Sequence, residues 1–395
     1  MKFTEEAFAP HMRPITGSAI REIFKLLGKP GMISFAGGNP SNAALEPEVI
    51  SELAVEVLAK YGTTLLQYGA TEGFAPFIES AGEFLSEVGL HAGAGELLPV
   101  QGGTQGFDLL IKALVEPGDV ILAEDPTFLG ALQAMRTYNA RVIPVATDEN
   151  GVIPEDVEKK IKKYSPKLMY IIPSFQNPTG VTLSLERRKA MAHLACEYGV
   201  VLAEDDPYRD LRYQGQALPP IKSYDTTGNV VYLGSFSKLV SPGLRVGYLL
   251  AHKELLRKCT IGKQGTDLHT PNLDQAIIDQ FLRRDLLDSH VQSIIPGYRE
   301  KLELMLEELS SFPEGTRYTA PEGGLFIFVE MPEGFDATAL FSEAVERGVA
   351  YVPGTHFYPD GGHHNTLRLN FSNSTPEQIH EGMGKLRELF AAHLG

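Results

Sequence analysis

A series of short, nearly unbroken apolar runs constrains this chain more than any other feature. They are VILAED (120–125), ARVIPVAT (140–147), KLMYIIPS (167–174), GVVLAED (199–205), NVVYLGSFS (229–237) and RVGYLLA (245–251). Each is rich in Val, Ile, Leu and Tyr, and each lacks the polar alternation of a strand with one wet face, so each must be covered on both faces. Helical stretches separate the runs. The pattern predicts an α/β fold with a mainly parallel sheet flanked by helices. Beyond residue 285 it changes to a charged helix around 297–310, GGLFIFVEMP (323–332), a helix near 336–347, TLRLNFS (366–372) and a final helix from 376. That succession fits a smaller α+β domain, and 395 residues suffice for both units. The expected division is an N-terminal arm at 1–47 that packs with the small domain, a large domain at 48–285, and a small C-terminal domain at 286–395.

In the arm, the spacing predicts a short helix that Ser18 can cap, with Ile20, Ile23, Phe24 and Leu27 on one apolar face and Arg21 beside it. Composition excludes several functions. Lys plus Arg number 35 against 50 Asp plus Glu, a net charge of −15, the wrong sign for binding nucleic acid or an anionic membrane by charge. Two cysteines, Cys196 and Cys259, are too few for a disulfide framework or a thiolate zinc site. His363 and His364 are neighbours in a Gly-rich loop without carboxylates at ligand spacing, so no metal is expected. The start MKFTEEAFAP is acidic where a signal peptide is basic, and no apolar stretch is long enough to span a bilayer. A cytoplasmic protein without membrane or nucleic-acid partners is the expectation.

In an open α/β sheet, ligands sit beyond the carboxyl ends of the strands, so the residues that follow each run are the informative ones. After GVVLAED come Asp205, Asp206, Pro207 and Tyr208; after KLMYIIPS come Gln176, Asn177, Pro178 and Gly180; after NVVYLG come Ser235, Ser237 and Lys238. QGGTQG (101–106) opens a helix with glycines and a threonine, which lets backbone N–H groups approach an anion. One rim thus gathers a carboxylate, a lysine, hydroxyls and an anion nest. Pyridoxal phosphate needs this set: a lysine to hold its aldehyde as a Schiff base, a carboxylate to keep its ring nitrogen protonated, and a phosphate cup.

The stretch YLGSFSKLVSPGLRVGY (232–248), with SFQNPTG (174–180), AEDDPYRDL (203–211), QGGTQG and QYGATEG (67–73), resembles the fold-type I pyridoxal-phosphate aminotransferases of class I/II. FAGGNP (35–40) after the SAIREI helix is similar to the branch that holds aminoadipate and kynurenine aminotransferases and the aminotransferase-like domain of MocR regulators. The resemblance implies Lys238 as the Schiff-base lysine and the proton shuttle between the substrate α-carbon and the cofactor C4′. It implies Asp205 at the ring nitrogen, and Asn177 and Tyr208 at the ring hydroxyl oxygen. Gly103, Thr104, Gln105, Ser235, Ser237 and Arg245 fall to the phosphate, joined by Tyr68 from a partner subunit, which makes a homodimer the expected minimum. Phe128 would stack on the ring where a tyrosine is common, without that residue's hydroxyl. Arg368 would clamp the substrate α-carboxylate bidentately, Gly38 and Asn177 would line the substrate, and Arg21 would meet a second carboxylate.

The implied reaction moves an amino group from an L-α-amino acid (2-aminoadipate, leucine, glutamate, kynurenine or another aromatic) to a 2-oxo acid, with 2-oxoglutarate as acceptor. Two rivals share the scaffold. A carbon–sulfur β-lyase would release pyruvate and ammonia, and a MocR-like sensor would carry a DNA-binding module upstream, whereas here the resemblance begins within the first 20 residues.

Overall fold

The computed structural model describes residues 3–13, 15 and 31–394. The helix expected at Ser18–Leu27 and the Arg21 side chain lie outside them. In chain order the strands are β1 (Ile33–Ser34), β2 (Leu97–Val100), β3 (Val120–Glu124), β4 (Arg141–Val145), β5 (Thr147–Asp148), β6 (Gly151–Val152), β7 (Leu168–Ile171), β8 (Val201–Asp205), β9 (Val230–Ser235), β10 (Gly247–Leu250), β11 (Arg317–Tyr318), β12 (Phe326–Glu330), β13 (Val349–Ala350), β14 (Val352–Pro353) and β15 (Thr366–Asn370).

A seven-stranded sheet with the order β2-β10-β9-β8-β7-β3-β4 forms the large layer. From β9 to β4 every pairing is parallel, while β10 runs antiparallel to both β9 and β2. The sheet is therefore mainly parallel, with RVGYLLA as the reversed strand. Only a short irregular loop links β9 to β10, and parallel pairing would demand a long crossover there.

The unbroken apolar runs follow from the layering. Ile121, Ala123, Leu168, Tyr170, Ala203 and Val231 face one hydrophobic core. Their chain neighbours Leu122, Met169, Ile171, Leu202 and Val230 face another, on the far side of the sheet. With helices on both sides, no strand position could be polar at low cost. Helix Leu185–Tyr198 shows how each covering helix is bounded: the Ser184 side chain accepts from the Arg187 N–H at its start, and Gly199 at φ 64° ends it.

A second, four-stranded antiparallel sheet has the order β11-β12-β15-β14. Two helices accompany it, Leu286–Leu309 and Pro376–Ala392, the latter started by a Thr375/Gln378 capping box. The first is longer than the expected 297–310 because it runs straight through Pro296. Leu287 and Val291 before the proline and Tyr298, Leu302 and Met305 after it are all buried, and this packing outweighs the lost backbone bond. The helix expected near 336–347 is confined to Phe341–Glu346; the residues before it form a turn in which Asp336 Oδ1 accepts from the Ala339 N–H.

The stretch after residue 31 is tied to this second sheet. β1 pairs in parallel with β13, Phe35 N–H donates to Ala350 O, and Asn370 N–H donates to Phe35 O at 2.8 Å. Residues 36–38 are thereby laid over β15. No helix among the described residues is long and apolar enough to cross a membrane.

Candidate active site

A cavity of about 250 Å³ opens at the carboxyl edge of the large sheet. Gly38, Gly103, Thr104, Phe128, Asn177, Asp205, Tyr208, Ser235, Ser237, Lys238, Arg245 and Arg368 all line it. They arrive from separate places: the ends of β8 and β9, the loop between β9 and β10, the start of helix Gly103–Leu114, the loop after β7, and β15. Strand direction explains the gathering. β9 ends and β10 begins at the same sheet edge, so one loop delivers Ser237, Lys238 and Arg245 together.

Asp205 is buried, and Tyr170 donates its hydroxyl proton to Oδ2 at 2.5 Å. Burial raises the carboxyl to about 6, against the pull of the Tyr170 bond, with the Asp206 charge adding to the rise. Lys238 donates from Nζ to the Gly38 carbonyl at 2.9 Å. Desolvation, then the positive charges of Arg245 and Arg368, lower its ammonium to about 8. A neutral amine is the nucleophilic form, so these surroundings favour the state that attacks a carbonyl.

Arg368 is 1% exposed, and no carboxylate among the described residues pairs with it. Instead Nη1 donates to Asn177 Oδ1 at 2.8 Å and Nη2 to the Ala36 carbonyl at 2.7 Å, with Gly37 O at 3.4 Å. The guanidinium carbon lies 4.2 Å from the Phe326 ring centre and 5.0 Å from that of Phe357. Its Nε has no partner, and burial lowers the group to about 9. A buried, unpaired cation with a spare donor is built to receive an anion.

One part of the cavity wall suits a phosphate. Gly102 caps helix Gly103–Leu114 at φ 79°, and the first-turn N–H groups of a helix have no intrahelical acceptors. A side chain there would collide with Arg245: a Cβ on Gly102 would lie 2.7 Å from Nη2. Arg245 Nη2 donates to Gln101 O at 2.8 Å, and the Ser235 and Ser237 hydroxyls are 2.9 Å apart beside it. Glycine-lined backbone, two hydroxyls, a guanidinium, a carboxylate and a lysine around one cavity fit the phosphate, ring nitrogen and aldehyde of pyridoxal phosphate.

Two sequence candidates stand apart from the cavity. The Gln105 side chain turns away: Oε1 accepts from Gln101 N–H and Lys263 Nζ, and Nε2 donates to Asp267. Its own N–H lies 3.1 Å from Gly102 O, and the side chain braces the helix start from the side away from the cavity. Tyr68 is 80% exposed on the outer surface, edge-on to His269. Tyr170, Phe326 and Phe357 were missed because apolar runs and core aromatics are what any buried sheet contains. The one available signal was a tyrosine hydroxyl inside KLMYIIPS, which must find a partner.

Comparison with known proteins agrees with this geometry. The model of the family "Aminotransferase class I and II" matches residues 30–386. The chain is 39% identical over 385 residues to the 2-aminoadipate transaminase of Thermus thermophilus, covering 96% of each chain. It is 38% identical over 391 residues to aromatic-amino-acid aminotransferase 1 of Thermococcus litoralis, covering 97% of this chain and 94% of that one. Among solved structures, the kynurenine aminotransferase of Pyrococcus horikoshii in complex with PMP superimposes with a TM-score of 0.95 at 37% identity, over 99% of this chain and 98% of that one. Sequence and fold agree: the chain belongs to the class I and II aminotransferases and is a pyridoxal-phosphate-dependent transaminase of fold type I.

Proposed function

We propose that this transaminase takes its amino group from L-α-amino acids with long or aromatic side chains, 2-aminoadipate and kynurenine among them, and passes it to 2-oxoglutarate. The convergence of Lys238, Asp205 and Arg368 on one cavity carries the reading. The substrates named for the similar proteins support this range of donors. Bound pyridoxal phosphate supplies an electron-accepting ring that stabilises negative charge at the donor α-carbon.

The chain's own residues do the rest. Gly103 and Thr104 N–H groups, Ser235, Ser237 and Arg245 would hold the phosphate, and Asp205 would take the ring nitrogen. Asn177 and Tyr208 would hold the ring hydroxyl oxygen, while Phe128 would cover a face of the ring. Arg368 binds the substrate α-carboxylate with Gly38 and Asn177 beside it, which turns the α-hydrogen toward Lys238. Lys238 Nζ, neutral once its proton is lost, then takes the α-proton as general base.

In the assembled form we propose a cytoplasmic homodimer in which Tyr68 reaches the partner's phosphate site. Exposed Leu66 and Tyr68 on one stretch support that reading, as do the two free cysteines for a reducing compartment. We place the boundaries between arm, large and small domain at 47/48 and 285/286. The test is an absorption spectrum of purified protein before and after single L-amino acids without oxo acid. Bleaching of the cofactor's visible band by 2-aminoadipate or aromatic donors is expected. A persistent band with release of pyruvate and ammonia would replace transamination with β-elimination.

A further inference from the structure

We infer that Tyr170 is a positioning residue for Asp205: its hydroxyl pins Oδ2 from inside the sheet and so presents Oδ1 alone to the cavity. The inference rests on the reading of Asp205 as the partner of the ring nitrogen.

Tyr170 lies in β7, 1% exposed, and the parallel register with β8 sets it opposite Ala203. Its ring packs at 4.5 Å on Phe107, from the helix that begins at the anion nest, so the phenol has a fixed direction. That direction is toward Asp205 Oδ2, at 2.5 Å. Oδ1 is the oxygen toward the cavity, 3.4 Å from where a Cβ on Gly103 would lie. A carboxylate with one oxygen held cannot rotate, so its free oxygen meets an incoming N–H with little entropy left to lose.

The surroundings leave this task to Tyr170. The charged or titratable groups that act on Asp205 are Tyr170, Glu124 at the end of β3, Asp206 beside it and Tyr208 on the following loop. Lys238 and Arg245 line the same cavity, but among the described residues no lysine or arginine forms an ion pair with Asp205. The Tyr170 bond is what opposes burial and holds the carboxyl ionised. Burial keeps the phenol itself protonated, well above its usual range, so it acts as a donor throughout the working pH range.

The experiment compares the wild type, Tyr170→Phe and Asp205→Asn, measuring the dissociation constant of pyridoxal phosphate from the full-length protein as a function of pH, alongside kcat and KM. For Tyr170→Phe the pH below which affinity falls should move up by about one unit. Its kcat should fall about tenfold while KM for the donor, set by Arg368, stays within about twofold. A second variant, a fluorinated tyrosine at 170, has a more acidic phenol and should move the same break downward. Wild-type breaks in both variants, with Asp205→Asn impaired, would overturn the role of Tyr170. Unimpaired binding and turnover in Asp205→Asn would instead remove the reading of Asp205 itself.

Discussion

Arg368 and Asn177, from strand β15 and from the loop after β7, share a hydrogen bond of 2.8 Å in which the guanidinium donates to the amide oxygen. The bond joins the group read as carboxylate clamp to the group read as ring-oxygen partner, across the two sheets. Arg368→Lys keeps the charge but loses the planar fork, so KM for donor and acceptor should rise about 10- to 100-fold with a smaller loss in kcat. Steady-state kinetics with both substrates checks this. An unchanged KM would take Arg368 out of substrate recognition.

Lys238 carries a pH dependence of definite sign. Burial and the charges of Arg245 and Arg368 lower its ammonium to about 8, and only the neutral amine attacks an aldehyde. Capture of pyridoxal phosphate by cofactor-stripped protein should therefore accelerate as pH rises through about 8. Arg245→Gln removes one of the lowering charges and should shift that rise to higher pH in stopped-flow absorbance. Lys238→Ala should abolish turnover and leave the circular dichroism spectrum unchanged.

Gly102→Ala should damage the anion nest from two directions. The backbone at φ 79° and ψ 167° is a conformation reserved for glycine, costing about 1–3 kcal/mol with any side chain. The added methyl would also press on Arg245 Nη2. Affinity for pyridoxal phosphate should fall about tenfold or more, the worth of one charge-assisted hydrogen bond. Affinity for pyridoxal, which lacks the phosphate, should change far less in the same titration.

Glu124, fully enclosed at the end of β3, predicts a stability trend with pH. Burial raises its carboxyl from 4.5 to about 8. A carboxyl whose folded pKa lies above its unfolded value stabilises the fold fully below the unfolded value, and that contribution is lost as pH rises through the folded one. Its part in stability should thus decline between about 4.5 and about 8. Glu124→Gln removes the ionisation. Its melting temperature relative to wild type should be highest above pH 8 and should lose that advantage toward pH 4.5. A constant offset across the range would show that Glu124 does not titrate there.

The parallel strands were legible because both of their faces are buried, and a run such as KLMYIIPS has no other use in a globular chain. The reversal at β10 was not legible, since RVGYLLA is as apolar as its parallel neighbours and direction depends on the loop before it. The first turns of helix Leu286–Leu309, ahead of the expected start at 297, were not legible because buried Leu287 and Val291 carry the helix through Pro296 by packing. At the site, the polar residues after each strand showed themselves by position. The direction of the Gln105 side chain, toward Lys263 and Asp267, was not legible because it depends on partners more than 150 residues away in sequence. Phe326 and Tyr170 were hidden by their own ordinariness, because an aromatic in a core strand signals nothing until its neighbours are known.

The carbonyls of residues 36–38 hold two of the cations that line the site, Lys238 through Gly38 and Arg368 through Ala36 and Gly37. These are neutral oxygens of one short backbone stretch, anchored by β1 and by Asn370. A substrate carboxylate arriving at Arg368 competes with a dipole instead of an internal acid, so it is the stronger partner from the outset. The stretch works as a courteous host: it keeps each charge company and yields its place to a visitor with more to offer. Binding then becomes an exchange of acceptors around cations that folding has already dehydrated.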